Sequence, residues 1–476
     1  MSENSYSAII VGTGFSSTFF LWEYLKHAPA NERILVLERG RRLDPAERLQ
    51  RRMVRDDFVR FEDVVINRTP MKPWVQNITF GGGACWFGNT PRMHPNDFRT
   101  HALYGVGEDW PLSYDDLEPY YVAVEDAMGI GGSSVGPYPR SKPYSFPPHR
   151  FNAFDELLAK KYPGLHIPFP SARSSSVETR RPICCGNGVC SLCPISAKFQ
   201  NDLHMAHVYE DPRVTLILEA EVERVDIQAG KVAGVQYRRG GREINVKTDL
   251  AVVGAHAIMT PFILLRSGLN DRALGRYLNE QLSSEIQIDL DGVDNYGGGQ
   301  SVTGLGLMFL DGQFRKVRPG CLIESWNIPW LRAERGRWRQ RASLKFVFED
   351  IPDFDNYVAV SREDPSKPEI RYTKHSDYMT AGLKSTSRLV EELIGGLPVE
   401  SYIIVPSEGL GGNAHIQGTT RMGKDPGNSV VDGDLRHHSV RNLIALGSGT
   451  FPTCPAANPT LTLSALAVRS AKRLFT

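Results

Sequence analysis

The stretch SAIIVGTGFSSTFFLWEYLKHAPANERILVLERG, residues 7–40, decides the fold class of this chain. The apolar run at 7–12 stops at a glycine, as a buried strand does, and the apolar-rich segment at 16–27 is typical of a helix. A second apolar run follows at 32–40. Strand, helix and strand in this order predict a β-α-β unit, and hence a doubly wound sheet of the α/β class.

The turn inside this unit has the pattern G-x-G-x-x-S, with Gly12, Gly14 and Ser17 at the fixed positions. The first glycine permits a tight turn, the second lets a pyrophosphate approach the helix N-terminus, and a small third residue lets helix and strand pack closely. Glu38 follows about 20 residues later, where an acid bonds a ribose hydroxyl. The pattern predicts a dinucleotide site, FAD or NAD, against the alternative of a structural turn beside a surface glutamate.

Size and charge exclude several function classes. The 476 residues suggest two joined domains or one very large α/β domain, and 41% hydrophobic with 23% charged residues is an ordinary globular balance. A formal net charge of +1 gives no global field to attract nucleic acid or an anionic membrane. No apolar run approaches ~18 residues and the N-terminus has no basic region before its first strand, so we expect no membrane span, no secretory signal and a cytoplasmic location.

Two stretches near the C-terminus narrow the function. GGNAHIQGTTRMG (411–423) contains His415, and TCPAANPTLTLSALAVRSA (453–471) contains Asn458. With these stretches the chain resembles the glucose–methanol–choline (GMC) oxidoreductases, which are FAD-dependent. FVFEDIPDFDNYVAV (346–360) resembles a strand of the bacterial sugar and polyol dehydrogenase branch of that family. The resemblance also rests on the turn at 12–17, GGGACW at 81–86, AIMTPFILLRSG at 257–268, SVVDGDLR at 429–436 and NPTLT at 458–462.

The resemblance implies a Rossmann-like FAD-binding domain and a discontinuous α+β substrate-binding domain. The first would comprise 1–100, 181–270 and 406–476, and the second 101–180 and 271–405, with a cysteine-rich insert at 184–193 between them. The FAD contacts that it implies are Gly12, Gly14, Phe15, Ser16, Glu38, Arg39, Gly82, Gly83, Cys85, Val222, Ala255, Gly447, Ser448, Asn458, Pro459 and Thr460. Because Trp86 and Phe87 follow the glycine stretch and His94 lies well downstream, we expect the FAD to be non-covalent.

The resemblance gives His415 and Asn458 catalytic roles facing the flavin. His415 would take the hydroxyl proton of an alcohol, a task that suits a histidine because its pKa lies near working pH. Asn458 would hold the substrate hydroxyl by a hydrogen bond. The alternatives are an ordinary loop histidine and an asparagine that caps a helix with Pro459 at its first position. Capping and catalysis are compatible, since a helix N-terminus aimed at the flavin would stabilise the anionic reduced ring.

The stretch RPICCGNGVCSLCPISAKF (181–199) holds four of the seven cysteines, namely Cys184, Cys185, Cys190 and Cys193. An odd number of cysteines in a reducing compartment argues against a disulfide. Thiolates suit iron–sulfur clusters or zinc, and buried sulfur is the remaining alternative. The resemblance implies a [3Fe–4S] cluster here. The last two cysteines stand one residue closer together than in the members of the sugar dehydrogenase branch that carry such a cluster.

The predicted function is FAD-dependent oxidation of a sugar, polyol or aminosugar-like alcohol. The electrons would leave the FAD through a cluster or directly, to an electron-accepting protein or subunit. The alternatives are an alcohol oxidase that uses oxygen, a lyase in which FAD is not redox-active, and a non-catalytic binding subunit.

Overall fold

The computed structural model describes residues 5–54, 58–68, 77–82, 85–328, 330–405 and 413–476. Its strands are β1 (Ser5–Val11), β2 (Ile34–Leu37), β3 (Ile66–Asn67), β4 (His166–Pro168), β5 (Val214–Ile217), β6 (Glu221–Gln228), β7 (Lys231–Arg239), β8 (Arg242–Val253), β9 (Leu282–Leu290), β10 (Val302–Phe309), β11 (Cys321–Trp326), β12 (Arg341–Phe348), β13 (Tyr357–Val360), β14 (Pro368–Arg371), β15 (Val399–Val405) and β16 (Leu443–Ala445). Its helices are α1 (Phe15–His27), α2 (Pro45–Gln50), α3 (Thr100–Tyr104), α4 (Tyr114–Met128), α5 (Ala153–Lys161), α6 (Asn201–His204), α7 (His256–Arg266), α8 (Asp377–Lys384), α9 (Thr386–Ile394) and α10 (Thr460–Lys472).

A seven-stranded sheet is built around the N-terminal unit, in the order β5-β2-β1-β8-β7-β6, with β16 also paired to β8. Strand β1 pairs in parallel with β2 and with the second half of β8, which confirms the predicted β-α-β unit. The first half of β8 forms an antiparallel hairpin with β7. Because β1, β2, β8 and β16 run parallel, their carboxyl ends meet at one edge, where ligands bind in doubly wound sheets.

The core of this sheet follows from its apolar runs. Ile9, Ile34 and Val252 are completely buried, as expected for strands covered on both faces. Helix α1 packs against α10, and α10 packs against α4. Helix α4 is N-capped by Ser113, which forms a reciprocal capping box with Asp116. Between residues 195 and 209 the chain forms only short turns of helix.

A second, six-stranded sheet has the order β15-β9-β12-β11-β10-β4 and is antiparallel throughout. One face carries Ile286, Leu344 and Phe346 into an apolar cluster with α9. Side chains alternate between faces along a strand, so Glu324, Trp326 and Lys345 share the opposite face. A small third sheet has the order β13-β14-β3. Among the helices described, none is both long enough and apolar enough to cross a membrane.

Candidate active site

A cavity of about 610 Å³ takes its walls from both large sheets. All described members of the predicted FAD-contact set line it, together with His415. These members are Gly12, Gly14, Phe15, Ser16, Glu38, Arg39, Gly82, Cys85, Val222, Ala255, Gly447, Ser448, Asn458, Pro459 and Thr460. The remaining predicted contact, Gly83, lies outside the described residues. The parallel strands explain the convergence, because several of these residues follow the carboxyl ends of β1, β2, β8 and β16.

The glycine-rich turn leaves its backbone bare toward the cavity. Gly12 has φ +89° and a Cβ there would lie 2.6 Å from the Gly254 carbonyl oxygen, so only glycine fits. A Cβ at Gly14 would meet no protein atom within 4 Å, and one at Gly82 would find only contacts of 3.7 Å or more. A Cβ at Gly254 would lie 2.3 Å from Ser17 Oγ, which shows the close helix–strand packing predicted for the third position of the pattern.

Helix α1 starts at this turn without a side-chain cap. The first N–H groups of a helix have no partner within the helix, and together with its dipole they attract anions. The bare turn and the uncapped helix start therefore fit a pyrophosphate, in agreement with the dinucleotide prediction.

Glu38 is buried at the end of β2 and fixes the turn. Its Oε2 accepts hydrogen bonds from Thr13 N (2.9 Å) and Thr13 Oγ1 (2.7 Å), and its Oε1 accepts one from Gly40 N (2.7 Å). Burial raises the pKa of Glu38, while these donors act in the opposite direction. A carboxylate offers about four acceptor positions, so the predicted ribose contact is still available. Thr13 was missed by the sequence reasoning, although its place between the two glycines was a usable signal.

His415 lies on the cavity wall and is held by hydrogen bonds to two residues, Gln281 and Glu280. Its Nδ1 is 2.6 Å from Gln281 Oε1, and its backbone N–H donates to Glu280 Oε1 at 3.0 Å. Burial, assisted by the Lys345 ammonium, lowers the pKa of His415 to about 3. The imidazole is therefore neutral at neutral pH, which is the state that a base requires.

Asn458 stands beside the histidine, with its Nδ2 3.5 Å from His415 Nε2. The same Nδ2 donates to Glu324 Oε1 at 3.2 Å, and Asn458 Oδ1 is buried without a hydrogen-bond partner in the part of the chain that is described. The predicted capping role is wrong, because α10 begins at Thr460 with Pro459 as its N-cap and no side-chain cap. The side chain turns toward the cavity instead, and its orphaned oxygen fits a bound donor.

Glu324, Trp326 and Lys345 on the second sheet complete this wall and were missed by the sequence reasoning. Glu324 also accepts from Asn89 Nδ2 (3.1 Å) and Trp326 Nε1 (3.1 Å). Lys345 stands directly opposite Glu324 in the β11–β12 register. The acid in the largely apolar stretch LIESW (322–326) was the available signal, since a charged side chain in a buried strand is rarely without a role.

The four predicted cysteine ligands differ in burial: Cys190 is buried, Cys185 is exposed, and Cys184 and Cys193 are intermediate. Among the residues described, no group of three or more His, Cys, Asp or Glu side chains is placed to hold a metal ion. Cys190 is turned inward, with its Sγ 3.1 Å from Arg173 Nε and 2.6 Å from Ser301 Oγ, whereas Cys185 is exposed. The predicted metal set was Cys184, Cys185, Cys190 and Cys193. Because one thiol faces the core and another faces outward, this set does not fit a cluster.

Comparison with known proteins identifies the family. The family models for GMC oxidoreductase match residues 172–283 and 352–467. The chain belongs to the GMC oxidoreductase family. It is accordingly a FAD-dependent oxidoreductase that acts on alcohols, and the predicted α/β fold with a Rossmann-like FAD-binding part is confirmed.

Two relatives cover all or most of the chain. The fructose dehydrogenase large subunit of Gluconobacter japonicus is 26% identical, covering 100% of this chain and 99% of the relative. The 6'''-hydroxyparomomycin C oxidase of Streptomyces lividus is 28% identical, covering 93% and 86%. A solved FAD-dependent oxidoreductase from Chaetomium thermophilum shares the fold, with a TM-score of 0.67, 16% identity, and coverage of 99% of both chains.

Proposed function

We propose that this GMC oxidoreductase oxidises an alcohol group on a sugar, polyol or aminosugar-like substrate, with His415 as the base. The observation that carries the proposal is the separation of 3.5 Å between His415 Nε2 and Asn458 Nδ2, on a cavity that the glycine-rich turn also lines. A base and an amide this close together can both reach one hydroxyl group.

FAD, held non-covalently, would lie against the residues that leave space for it. The bare turn at Gly12 and Gly14 would hold the pyrophosphate, and Glu38 would accept from the ribose. Pro459 and Thr460 place the N-terminus of α10 on the cavity, where its dipole favours negative charge. In this proposal 1–100, 181–270 and 406–476 form the FAD-binding domain, while 101–180 and 271–405 form the substrate-binding domain.

The proposed chemistry assigns one task to each of the two catalytic residues, His415 and Asn458. When bound, FAD supplies the ring that accepts a hydride from the substrate carbon. His415 Nε2 takes the hydroxyl proton, since burial keeps the imidazole neutral beforehand. Asn458 Nδ2 has two hydrogens: one goes to Glu324, and the other faces His415 Nε2 at 3.5 Å, a long contact that a substrate oxygen would replace.

The substrate class follows from the wall opposite the turn. Glu324 supplies acceptors, Lys345 supplies donors and Trp326 supplies an aromatic face. This mixture suits a compact molecule with several hydroxyl groups and an apolar ring face. Two relatives named for fructose and for 6'''-hydroxyparomomycin C support the same class.

For the electron acceptor we propose a separate protein or subunit. One relative is named as the large subunit of a dehydrogenase, which supports this choice. The proposal includes no electron transfer through an iron–sulfur cluster, because the four cysteines do not form a ligand set among the described residues. A second relative is named as an oxidase, so direct transfer to oxygen is the competing candidate.

Anaerobic titration of the flavin-loaded protein tests the proposal. Fructose, a hexitol and an aminosugar are added separately, and the oxidised flavin absorbance is followed. We expect at least one of them to bleach the flavin and to form a carbonyl product in equal amount. Failure of polyhydroxylated alcohols as a class to reduce the flavin would contradict the proposal. Readmission of air then separates the acceptors, since an oxidase forms peroxide in step with product, without an added acceptor.

A further inference from the structure

The Gln281 side-chain amide has its orientation fixed by two backbone carbonyls. Its Nε2 donates to Pro455 O at 2.5 Å and to Ala457 O at 2.9 Å, and the residue is completely buried. A rotation that exchanged the amide oxygen and nitrogen would set an oxygen against two carbonyl oxygens and leave no donor for either. Gln281 Oε1 must therefore point the other way, toward His415.

This orientation determines where the proton of His415 lies. Gln281 Oε1 is 2.6 Å from His415 Nδ1, and a carbonyl oxygen can only accept. A hydrogen bond of this length requires that Nδ1 carry the hydrogen. A neutral imidazole has a single N–H group, so Nε2 is left with a free lone pair.

We propose that Gln281 is a positioning residue that holds the proton of neutral His415 on Nδ1 and so leaves Nε2 free to act as the base. The inference rests on the proposed function, since it explains how His415 is prepared for its role. Gln281 acts through His415 and needs no contact with the substrate. Neither the family comparison nor the sequence pattern assigns it a role.

The position of Gln281 in the fold extends this role to the catalytic asparagine. Pro455 and Ala457 belong to the segment that ends at Asn458, so one amide joins the His415 loop to the Asn458 segment. The preceding residue, Glu280, accepts from the His415 backbone N–H. Two neighbouring side chains at the start of β9 therefore fix both the ring and the backbone of the histidine.

The charged groups around His415 come from three strands or their ends. Glu280 precedes β9, Glu324 lies on β11 and Lys345 lies on β12. Gln281 is the partner at Nδ1 and carries no charge, so it fixes the tautomer without favouring the imidazolium as a carboxylate would.

Nitrogen NMR on histidine-labelled, flavin-loaded protein reads the tautomer directly, independently of turnover. The His415 signals are assigned by their loss in His415→Ala. We expect the wild type to show hydrogen on Nδ1 and none on Nε2. In Gln281→Leu we expect the hydrogen to be no longer confined to Nδ1. Protonation of Nε2 in the wild type, or the same tautomer in wild type and Gln281→Leu, would overturn the inference.

The split between kcat and KM provides a second readout. Gln287→Leu, on the strand that follows Gln281 but off the cavity wall, serves as the control and should leave kcat and KM at wild-type values. Gln281→Leu should lower kcat by roughly 10- to 100-fold with little change in KM. If His415→Ala is inactive but Gln281→Leu keeps the wild-type kcat, the positioning role fails alone; if His415→Ala stays active, the proposed function itself fails.

Discussion

The catalytic wall around His415 and the cysteine stretch at 184–193 both concentrate reactive side chains, yet they differ in how those side chains are held. On the wall, Gln281 fixes the ring of His415, and Glu324 fixes the amide of Asn458. In the stretch, Cys190 bonds to Arg173 in the core while Cys185 faces outward. Closeness in sequence therefore does not make a site, whereas buried partners that aim each group into one cavity do.

The largest effect is expected from a substitution in the glycine-rich turn. Gly14→Val puts a side chain where no protein atom lies within 4 Å, so the fold should survive while the cofactor space is filled. We expect FAD affinity to fall by more than roughly 100-fold, about 2.7 kcal/mol. Flavin content after purification and circular dichroism together measure this.

Gly14→Ala serves as the graded control for this substitution. Its single methyl group should weaken FAD binding less than valine does. Full flavin occupancy in the valine variant would show that the cofactor does not approach this turn.

Glu280, which accepts from the backbone of the His415 loop, should make the free energy of unfolding depend on pH. Burial raises the pKa of Glu280 to about 7 against a usual value of 4.5, although backbone N–H groups of the His415 loop oppose the shift. A raised carboxyl pKa means that the folded state binds more protons than the unfolded state between these two values. The free energy of unfolding should therefore fall as pH rises from 4.5 to 7, by on the order of 2 kcal/mol from this residue.

Glu280→Gln removes this titration while it keeps an acceptor for the loop. Denaturant titrations at several pH values should show that the variant gains stability relative to wild type as pH rises through this window. An identical pH slope in the two proteins would contradict the account of how the His415 loop is anchored.

The smallest effect is expected in the cysteine stretch. Cys185 is exposed and belongs to no gathered ligand set among the described residues, so Cys185→Ser should leave flavin reduction within about twofold of wild type. Iron per flavin, measured by elemental analysis of anaerobically purified protein, should be near zero in both. Stoichiometric iron in the wild type that is lost on this substitution would show that the stretch forms a site after all.

Much of the fold and two residues of the catalytic wall, His415 and Asn458, could be predicted from local patterns. The apolar runs at 7–12 and 32–40 indicated parallel strands, and the glycine spacing between them indicated a helix start open to a phosphate. His415 and Asn458 could be found because each lies in a recognisable stretch. These features depend on neighbours in sequence, which is why they were visible before the structure.

The residues that hold the catalytic pair could not be predicted in the same way. Glu324 and Lys345 meet through the β11–β12 register, and Gln281 meets His415 across 134 positions of sequence. Their contacts are set by tertiary packing rather than by any local period. The cysteine prediction rested on spacing alone, and among the described residues no three of the possible ligand side chains are placed to hold a metal ion.

Single-turnover reduction of the flavin in His415→Ala tests the central claim most directly. The variant is mixed anaerobically with a substrate that reduces the wild type, and the rate constant for flavin bleaching is compared with that of His101→Ala, an exposed histidine. The account predicts a rate constant about 10²- to 10⁴-fold lower in His415→Ala, with unchanged flavin content, and a wild-type value in His101→Ala. Equal rate constants in all three proteins would contradict it.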